Sequence, residues 1–314
     1  MSDTIKDSLI NALRAGRRLS PDALQNVDLS EADLSGARLY GYRLHGTRFD
    51  GANLTRTTWQ ACELDRTILD RATLSESHFV DCQGRAVSWR NAQANRLWMK
   101  QCTWQDCHFE SSDLTRLAAI RTTFIRCQWQ SATLLQTWLS HCDLSGLDFT
   151  AVVWTQSHFP NSHLLGTCFS HATLTQCSFN RANANEAIFS QAQARGSSFH
   201  GACLNNAMFD DAMLDGSIFD QARLDHTCFS GASLQGARLY GVLSKGVTFA
   251  GCNLAQADLS HSKALHADFS RADLRGAKLH AAQLPDALWH AAKLDQVRRD
   301  DPELLAAECW QPLV

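Results

Sequence analysis

Cysteine and histidine are the residue types of this chain with the clearest capacity for chemistry. The 314 residues include 12 cysteines and 13 histidines. Cys62, Cys82 and Cys102 are spaced twenty residues apart, and stacked thiols of this kind are candidates for disulfides or for a metal site. However, no C-x-x-C motif occurs, and no histidines are paired at metal-ligand spacing. We therefore predict reduced cysteines, solvated histidines, no metal site and no cofactor.

A five-residue repeat dictates the elements that position these side chains. It runs from Leu24 to Leu294, with a large apolar residue at a central position and a small residue two places earlier, as in Ala207-Met208-Phe209. Helices and strands bury residues at periods of 3.6 and 2, so neither produces a strict five. Central residues twenty apart also match in type, and one series is aromatic: Phe169, Phe189, Phe209 and Phe229. A period of twenty residues, equal to four repeats, is therefore also present in the sequence.

Most of the cysteines occupy the small position of the repeat, where Ala, Ser or Thr stands elsewhere. They are Cys62, Cys82, Cys102, Cys107, Cys127, Cys142, Cys177 and Cys252. A thiol that alternates with such residues is expected to act as a small buried side chain. Reduced cysteines are typical of the cytosol, and the basic residues of positions 1–20 precede no apolar signal segment. We therefore predict a cytoplasmic protein.

The repeat resembles that of the pentapeptide-repeat family, whose motif is close to Ala-Asp/Asn-Leu-X-X. The matching segments include Ala32-Asp33-Leu34, Ala52-Asn53-Leu54, Ala257-Asp258-Leu259 and Ala272-Asp273-Leu274. The resemblance implies an all-β solenoid, a right-handed four-sided pentapeptide-repeat β-helix with one pentapeptide on each side. At about twenty residues per coil, the repeat span gives about 14 coils.

Three segments are predicted along the chain. Residues 1–20 contain a short helix that caps the first coil, and residues 21–295 form the β-helix, in which the motif is degenerate over residues 80–160. Residues 296–314 carry a second short capping helix, introduced by Asp301-Pro302-Glu303.

The sequence argues against catalysis, nucleic-acid binding and membrane insertion. It has no nucleophile elbow, P-loop, HExxH or dinucleotide motif, and a filled β-helix has convex walls on which catalytic groups do not converge. We therefore predict that the protein is not an enzyme. The net charge is −3 with both signs mixed, so direct nucleic-acid binding is not expected. No apolar run reaches the roughly 18 residues of a membrane span.

Outward residues of the degenerate stretch form the candidate binding site. Trp98 and Trp138 stand two coils apart in one outward column, and Trp and Arg predominate in interface hot spots. The residues that complete this tryptophan patch are Val80, Lys100, Ile120, Arg121 and His141. The patch predicts a protein-binding site. The alternative is that a local bulge in the degenerate coils buries one or both indole rings.

The C-terminal tail is a second candidate contact. A helix over about residues 302–309 carries Leu304 and Leu305, and Trp310 and Leu313 follow it. The resemblance implies that the C-terminal end often makes the contact in family members that dimerise. Two outcomes remain open: the tail covers the last coil of a monomer, or it forms a homodimer contact.

Three functions are compatible with the sequence. The leading hypothesis is a non-enzymatic bacterial scaffold whose rigid wall docks an unidentified protein partner. The family resemblance also implies two alternatives, an effector or accessory protein linked to type VI secretion and a DNA mimic that binds or protects DNA gyrase. The DNA mimics have strongly acidic rods, and the resistance proteins have loops that interrupt the coils. This chain has a net charge of −3 and an uninterrupted repeat.

Overall fold

The computed structural model describes the backbone of residues 3–308 and the side chains of residues 6–308. The chain divides into two compact units, Met1–Thr173 and Leu174–Val314, which we call the N-terminal and C-terminal units. The chain forms a β-solenoid of about 11 turns with a short helix near each terminus, so the predicted fold class is confirmed. The sequence estimate of about 14 coils, obtained by dividing the whole repeat span by twenty residues, is larger than the roughly 11 turns of the structure. The predicted segment boundaries stay predictions.

Regular strands are short because each one covers a single side of a turn. In the N-terminal unit, α1 (Asp3–Arg14) precedes ten strands: β1 (Arg38–Tyr40), β2 (Thr58–Gln60), β3 (Glu63–Asp65), β4 (His78–Val80), β5 (Gln83–Arg85), β6 (Trp98–Lys100), β7 (Thr103–Gln105), β8 (Ala118–Ile120), β9 (Thr123–Ile125) and β10 (Trp138–Ser140). The C-terminal unit contains β11 (Leu243–Lys245), β12 (Lys263–Leu265) and α2 (Pro302–Glu308).

Parallel pairing between turns builds three sheets. Their strand orders are β1-β2-β4-β6-β8-β10, β3-β5-β7-β9 and β11-β12. In the described part of the chain, the paired strands and the isolated bridges join residues twenty apart. One turn is therefore twenty residues, as the sequence predicts.

The repeat places two of every five residues inside a turn. In Ala207-Met208-Phe209 the first and last residues are fully buried, whereas Met208 is 44% exposed. The residue two places after the central one forms the corner and has a positive φ, for example 50° at Arg121. A non-glycine residue in this region costs roughly 1–2 kcal/mol. Hydrogen bonds between turns offset that cost, since the Arg121 amide donates to the Ser140 carbonyl at 3.0 Å.

Aromatic side chains stack along the interior of each unit. In the N-terminal unit the ring centroids of Phe109 and Trp129 are 4.3 Å apart and nearly parallel. In the C-terminal unit the rings of Phe189 and Phe209 stack at 4.6 Å. Such pairs contribute about 0.5–1.5 kcal/mol beyond the area that they bury. The aromatic series in the sequence therefore contributes directly to the stacking of successive turns.

The two helices are attached in different ways. α1 ends at Arg14, two residues before Gly16, whose φ of 66° suits glycine. Its buried Leu13 and a 2.7 Å hydrogen bond from Lys6 Nζ to the Ser30 carbonyl hold it on the first turns. No residue of α2 is buried. Within residues 3–308, neither helix has the length and apolar character needed to cross a membrane.

Thiols and hydroxyls in the small position donate to the turn before them. Cys142 Sγ lies 3.3 Å from the carbonyl oxygen of Ala119, and in the same column Ser162 Oγ donates to the Leu139 carbonyl at 2.7 Å. Further thiols that make the same contact with the carbonyl 23 residues earlier are Cys62, Cys82 and Cys102. The acceptors belong to the six-stranded sheet, so this column of side chains supports it from inside. The cysteines therefore supply weak hydrogen bonds as well as filling space.

Burial and hydrogen bonding raise the pKa of two of these thiols, Cys142 and Cys82. Desolvation raises the pKa of Cys142 to about 12, compared with 9.0 for a free thiol. The pKa of Cys82 is also raised, first by side-chain hydrogen bonds with Cys102 and Cys62 and then by burial. The thiolate is the nucleophilic form of cysteine, so both side chains are unreactive at neutral pH. None of the cysteines between residues 6 and 308 forms a disulfide.

We predict that ionisation of Cys142 in the unfolded chain destabilises the protein at alkaline pH. A raised pKa stabilises the fold below the unfolded value of 9.0, and this contribution is lost as pH rises toward about 12. Between about pH 8 and pH 10, the free energy of unfolding should fall by roughly 1 kcal/mol less in Cys142→Ser than in the wild type. Urea unfolding followed by circular dichroism measures this difference. Ser162→Ala, which removes a non-ionising donor in the same column, should keep the wild-type pH dependence; the same change in both variants would contradict the assignment.

The degenerate stretch keeps its register by exchanging volume between neighbouring turns. Gly84 occupies a central position in β5, and Trp104 lies one turn later in β7. A methyl group added at Gly84 would overlap the Trp104 ring. The missing side chain in one turn is therefore replaced by an oversized one from the next.

We predict that Gly84→Ala destabilises the protein by about 1–3 kcal/mol through overpacking. Combination with Trp104→Leu should recover about 1 kcal/mol or more of the summed cost, because the two side chains compete for one space. Chemical unfolding of the singles and the double gives this coupling. Trp154→Leu removes a buried indole farther along the same interior and should be additive with Gly84→Ala. Additivity of the Gly84/Trp104 pair would refute the exchange.

Candidate functional site

The six-stranded sheet of the N-terminal unit carries the tryptophan patch. Each strand contributes two outward residues, one on either side of its buried central residue. The first outward row is Arg38, Thr58, His78, Trp98, Ala118 and Trp138. The second row is Tyr40, Gln60, Val80, Lys100, Ile120 and Ser140. Arg121 and His141 are the corners that follow β8 and β10. The structure thus brings all seven patch residues onto one wall and its adjoining corner.

Both indole rings lie on the outside of this wall. β6, β8 and β10 pair residue for residue, so Trp98, Ala118 and Trp138 follow one another without a bulge. Trp138 is 46% exposed, and Trp98 is half-buried. The alternative that a bulge turns these rings inward is excluded in these strands. Their role in binding stays a prediction.

A histidine one turn earlier or later contacts each indole. The ring centroids of His78 and Trp98 are 5.4 Å apart at an interplanar angle of 64°. Those of Trp138 and His158 are 5.2 Å apart at 41°. These contacts restrict the rotamers of both tryptophans, which lowers the entropy lost when a partner binds.

The short side chain of Ala118 leaves a notch between the two indoles. Two steps between adjacent strands separate the Trp98 and Trp138 backbones by about 10 Å. Ala118 forms the floor of the notch, and the half-buried Ile120 lies beside it on the same strand. Val80 is also half-buried, one turn before Lys100. The surface between the two indoles is therefore apolar.

Two basic side chains, Lys100 and Arg121, lie on one side of the notch. Among the residues that the structure describes, none forms an ion pair with Lys100 or Arg121. Some basic residues elsewhere are paired with an acid, as are Lys278 and Asp258 of the C-terminal unit, which lie 3.7 Å apart. His141 is exposed, and its Nδ1 forms a 2.9 Å hydrogen bond with Ser140 Oγ. The patch thus combines one exposed and one half-buried indole with two cationic groups that form no ion pair within the described residues.

The second candidate contact is only partly described. Leu304 is 45% exposed and Leu305 is half-buried, so the described tail does not bury these leucines against the last turn. Trp289 of that turn is itself half-buried. Trp310 and Leu313 lie outside the described residues. A capping or dimer role for these four residues stays a prediction.

Sequence reasoning missed one cluster of chemical groups. The expectation of solvated histidines was wrong for His280, which is buried at 8% exposure. Its imidazole is close to the imidazole of His261 and to the carboxylate of Glu308. The potential ligand atoms of these three side chains all lie within 4.8 Å of one another. The spacing of 19 between the two histidines, one short of a full turn, was the available signal.

Several solved structures are similar to this chain. A pentapeptide-repeat protein from the Arabidopsis thaliana thylakoid lumen is 27% identical over 37% of this chain and 66% of its own, with a TM-score of 0.29. HetL, involved in heterocyst differentiation regulation in the cyanobacterium Nostoc sp., is 20% identical over 93% of this chain and 95% of its own, with a TM-score of 0.21. QnrB1, a plasmid-mediated fluoroquinolone resistance protein, is 16% identical over 82% of this chain and 100% of its own, with a TM-score of 0.30.

Family models identify the repeat in both units. No curated protein is significantly similar in sequence to this chain. The model of a pentapeptide repeat region matches residues 152–229, and the model of eight pentapeptide repeats matches residues 23–51, 47–83 and 252–288. These segments together cover more than half of the 314 residues, and the chain belongs to the pentapeptide-repeat family.

Proposed function

We propose that this chain is a non-catalytic scaffold of the bacterial cytoplasm that docks a folded protein partner on the tryptophan patch. The exposure of Trp138 on a regular parallel sheet is the observation that carries the proposal. Buried tryptophans dominate the binding energy of many interfaces. Pentapeptide-repeat proteins are generally non-catalytic, which supports a binding role.

The backbone of the patch is suited to binding without rearrangement. The Trp138 amide donates to the Leu117 carbonyl at 2.8 Å, and the Leu139 amide donates to the His158 carbonyl at 2.8 Å. These bonds hold β10 to the turns on both sides. Because little chain is ordered on association, more of the contact energy remains available for affinity.

The chemistry of the patch specifies the partner surface. The notch between Trp98 and Trp138 accepts a large apolar side chain. Lys100 and Arg121 favour aspartate or glutamate around that side chain, since complementary charge steers association and selects the partner. We therefore expect the partner to present an exposed apolar residue with an acidic rim.

We predict that Trp138→Glu abolishes partner capture from a lysate of the source organism. Loss of a hot-spot tryptophan costs about 2 kcal/mol or more, which is roughly a 30-fold loss of affinity. Captured proteins are identified and quantified by mass spectrometry, and the partner is then purified for a direct titration. Lys100→Glu should weaken the same complex, with a smaller effect at high salt.

Leu243→Glu is the matched control for this experiment. Leu243 is 49% exposed in β11 of the C-terminal unit, so the change adds the same charge at a similarly exposed strand position. The control should retain the partner. Unchanged capture by Trp138→Glu, or equal loss from Leu243→Glu, would contradict a site on the tryptophan patch.

A further inference from the structure

We propose that His261, His280 and Glu308 bind one divalent transition-metal ion of the zinc, nickel or cobalt class. The ion would fasten the end of α2 to two successive turns of the C-terminal unit. This proposal is independent of the tryptophan patch.

The solenoid itself brings the two histidines together. His261 is a corner residue with a φ of 58°. Its amide donates to the carbonyl of His280 at 2.8 Å, which joins adjacent turns. The two imidazole centroids are 5.4 Å apart at an interplanar angle of 76°. The backbone ladder thus fixes the spacing of two potential ligands before the tail contributes a third.

Glu308 supplies the third ligand from the last residue of α2. Its Oε1 is 3.1 Å from His261 Nε2, and its Oε2 is 3.4 Å from His280 Nε2. Ligands bound to one zinc ion at about 2.0–2.2 Å each lie roughly 3.3 Å from one another. An ion therefore fits between these three groups after small side-chain movements.

The surroundings leave the site shielded on one side and open on the other. The side chain of His280 is 10% exposed, whereas those of His261 and Glu308 are 29% and 35% exposed. The Tyr240 ring covers His261, with centroids 5.0 Å apart. Three protein ligands leave at least one coordination position for water, as in an open zinc site.

The donor set selects the class of metal. Two imidazole nitrogens and one carboxylate oxygen suit zinc, nickel, cobalt or copper, whereas calcium and magnesium prefer oxygen ligands alone. We therefore expect this site to bind zinc, nickel or cobalt more tightly than calcium or magnesium.

One existing hydrogen bond must change when the ion binds. The Asp301 amide donates to His280 Nδ1 at 3.1 Å, so the proton of the neutral ring is on Nε2, which faces Glu308. Coordination through Nε2 moves that proton to Nδ1 and releases the Asp301 amide to water. Asp301 is exposed, so water can replace the bond. The required change of tautomer favours reversible binding over a permanently occupied site.

The test uses the full chain without an affinity tag and cobalt(II) as the probe. Titration should give a visible d–d absorption that saturates at one ion per chain. Glu308→Gln keeps a hydrogen-bond acceptor and removes the charged ligand, and His261→Ala removes an imidazole. Each should weaken cobalt binding about tenfold or more. At the same zinc concentration, the melting temperature of the wild type should rise more than that of either variant.

His266→Ala is the matched control. His266 Nδ1 lies 3.7 Å from Asp286 on the same unit, which is a histidine–carboxylate pair without a second imidazole. This variant should bind cobalt as the wild type does. Wild-type affinity in Glu308→Gln, or a spectrum dominated by thiolate-to-cobalt charge transfer, would overturn the proposal.

Discussion

The solenoid depends on hydrogen bonds between backbone groups one turn apart. The Leu34 amide donates to the Asn53 carbonyl, and the Asn53 amide donates to the Ala32 carbonyl. A residue is therefore bonded to positions about twenty before and after it, and its side chain stacks on those of the neighbouring turns. Side chains twenty residues apart therefore form columns, both in the interior and on the surface. The aromatic interior, the thiol column and the outward tryptophans are three results of this single constraint.

Because of the same constraint, each interior side chain packs mainly against the turns directly before and after its own. A side chain is compensated by the turn directly above or below it, as Trp104 compensates for Gly84. Polar groups in the small position follow this rule too, because Cys142 donates to a carbonyl of the previous turn. Irregular sequence between residues 80 and 160 is thus compatible with a regular backbone, and it is there that the six-stranded sheet carries Trp98 and Trp138.

The sequence predicted those features that repeat at twenty residues. The fold class, the inward residues and the column of Trp98 and Trp138 follow from counting positions. The exposure of each indole did not, because it depends on contacts with His78 and His158 that spacing alone cannot rank. The cluster at His261 and His280 also escaped prediction, since 19 residues is not the repeat period and Glu308 comes from a helix outside it. Side chains brought in by a non-repetitive segment are invisible to a periodic analysis.

The corner residues have a consequence for how such a surface can diversify. Corners adopt a left-handed conformation whether they carry arginine, histidine or glycine, as at Arg121, His141 and Gly146. Backbone hydrogen bonds therefore stabilise the corner conformation, and the fold depends little on which outward side chain a corner carries. A surface of this kind can acquire a new recognition specificity by point substitution, whereas inserting a single residue would displace every column that follows. We therefore expect such proteins to diverge by substitution of outward side chains while the number of residues in each turn stays constant.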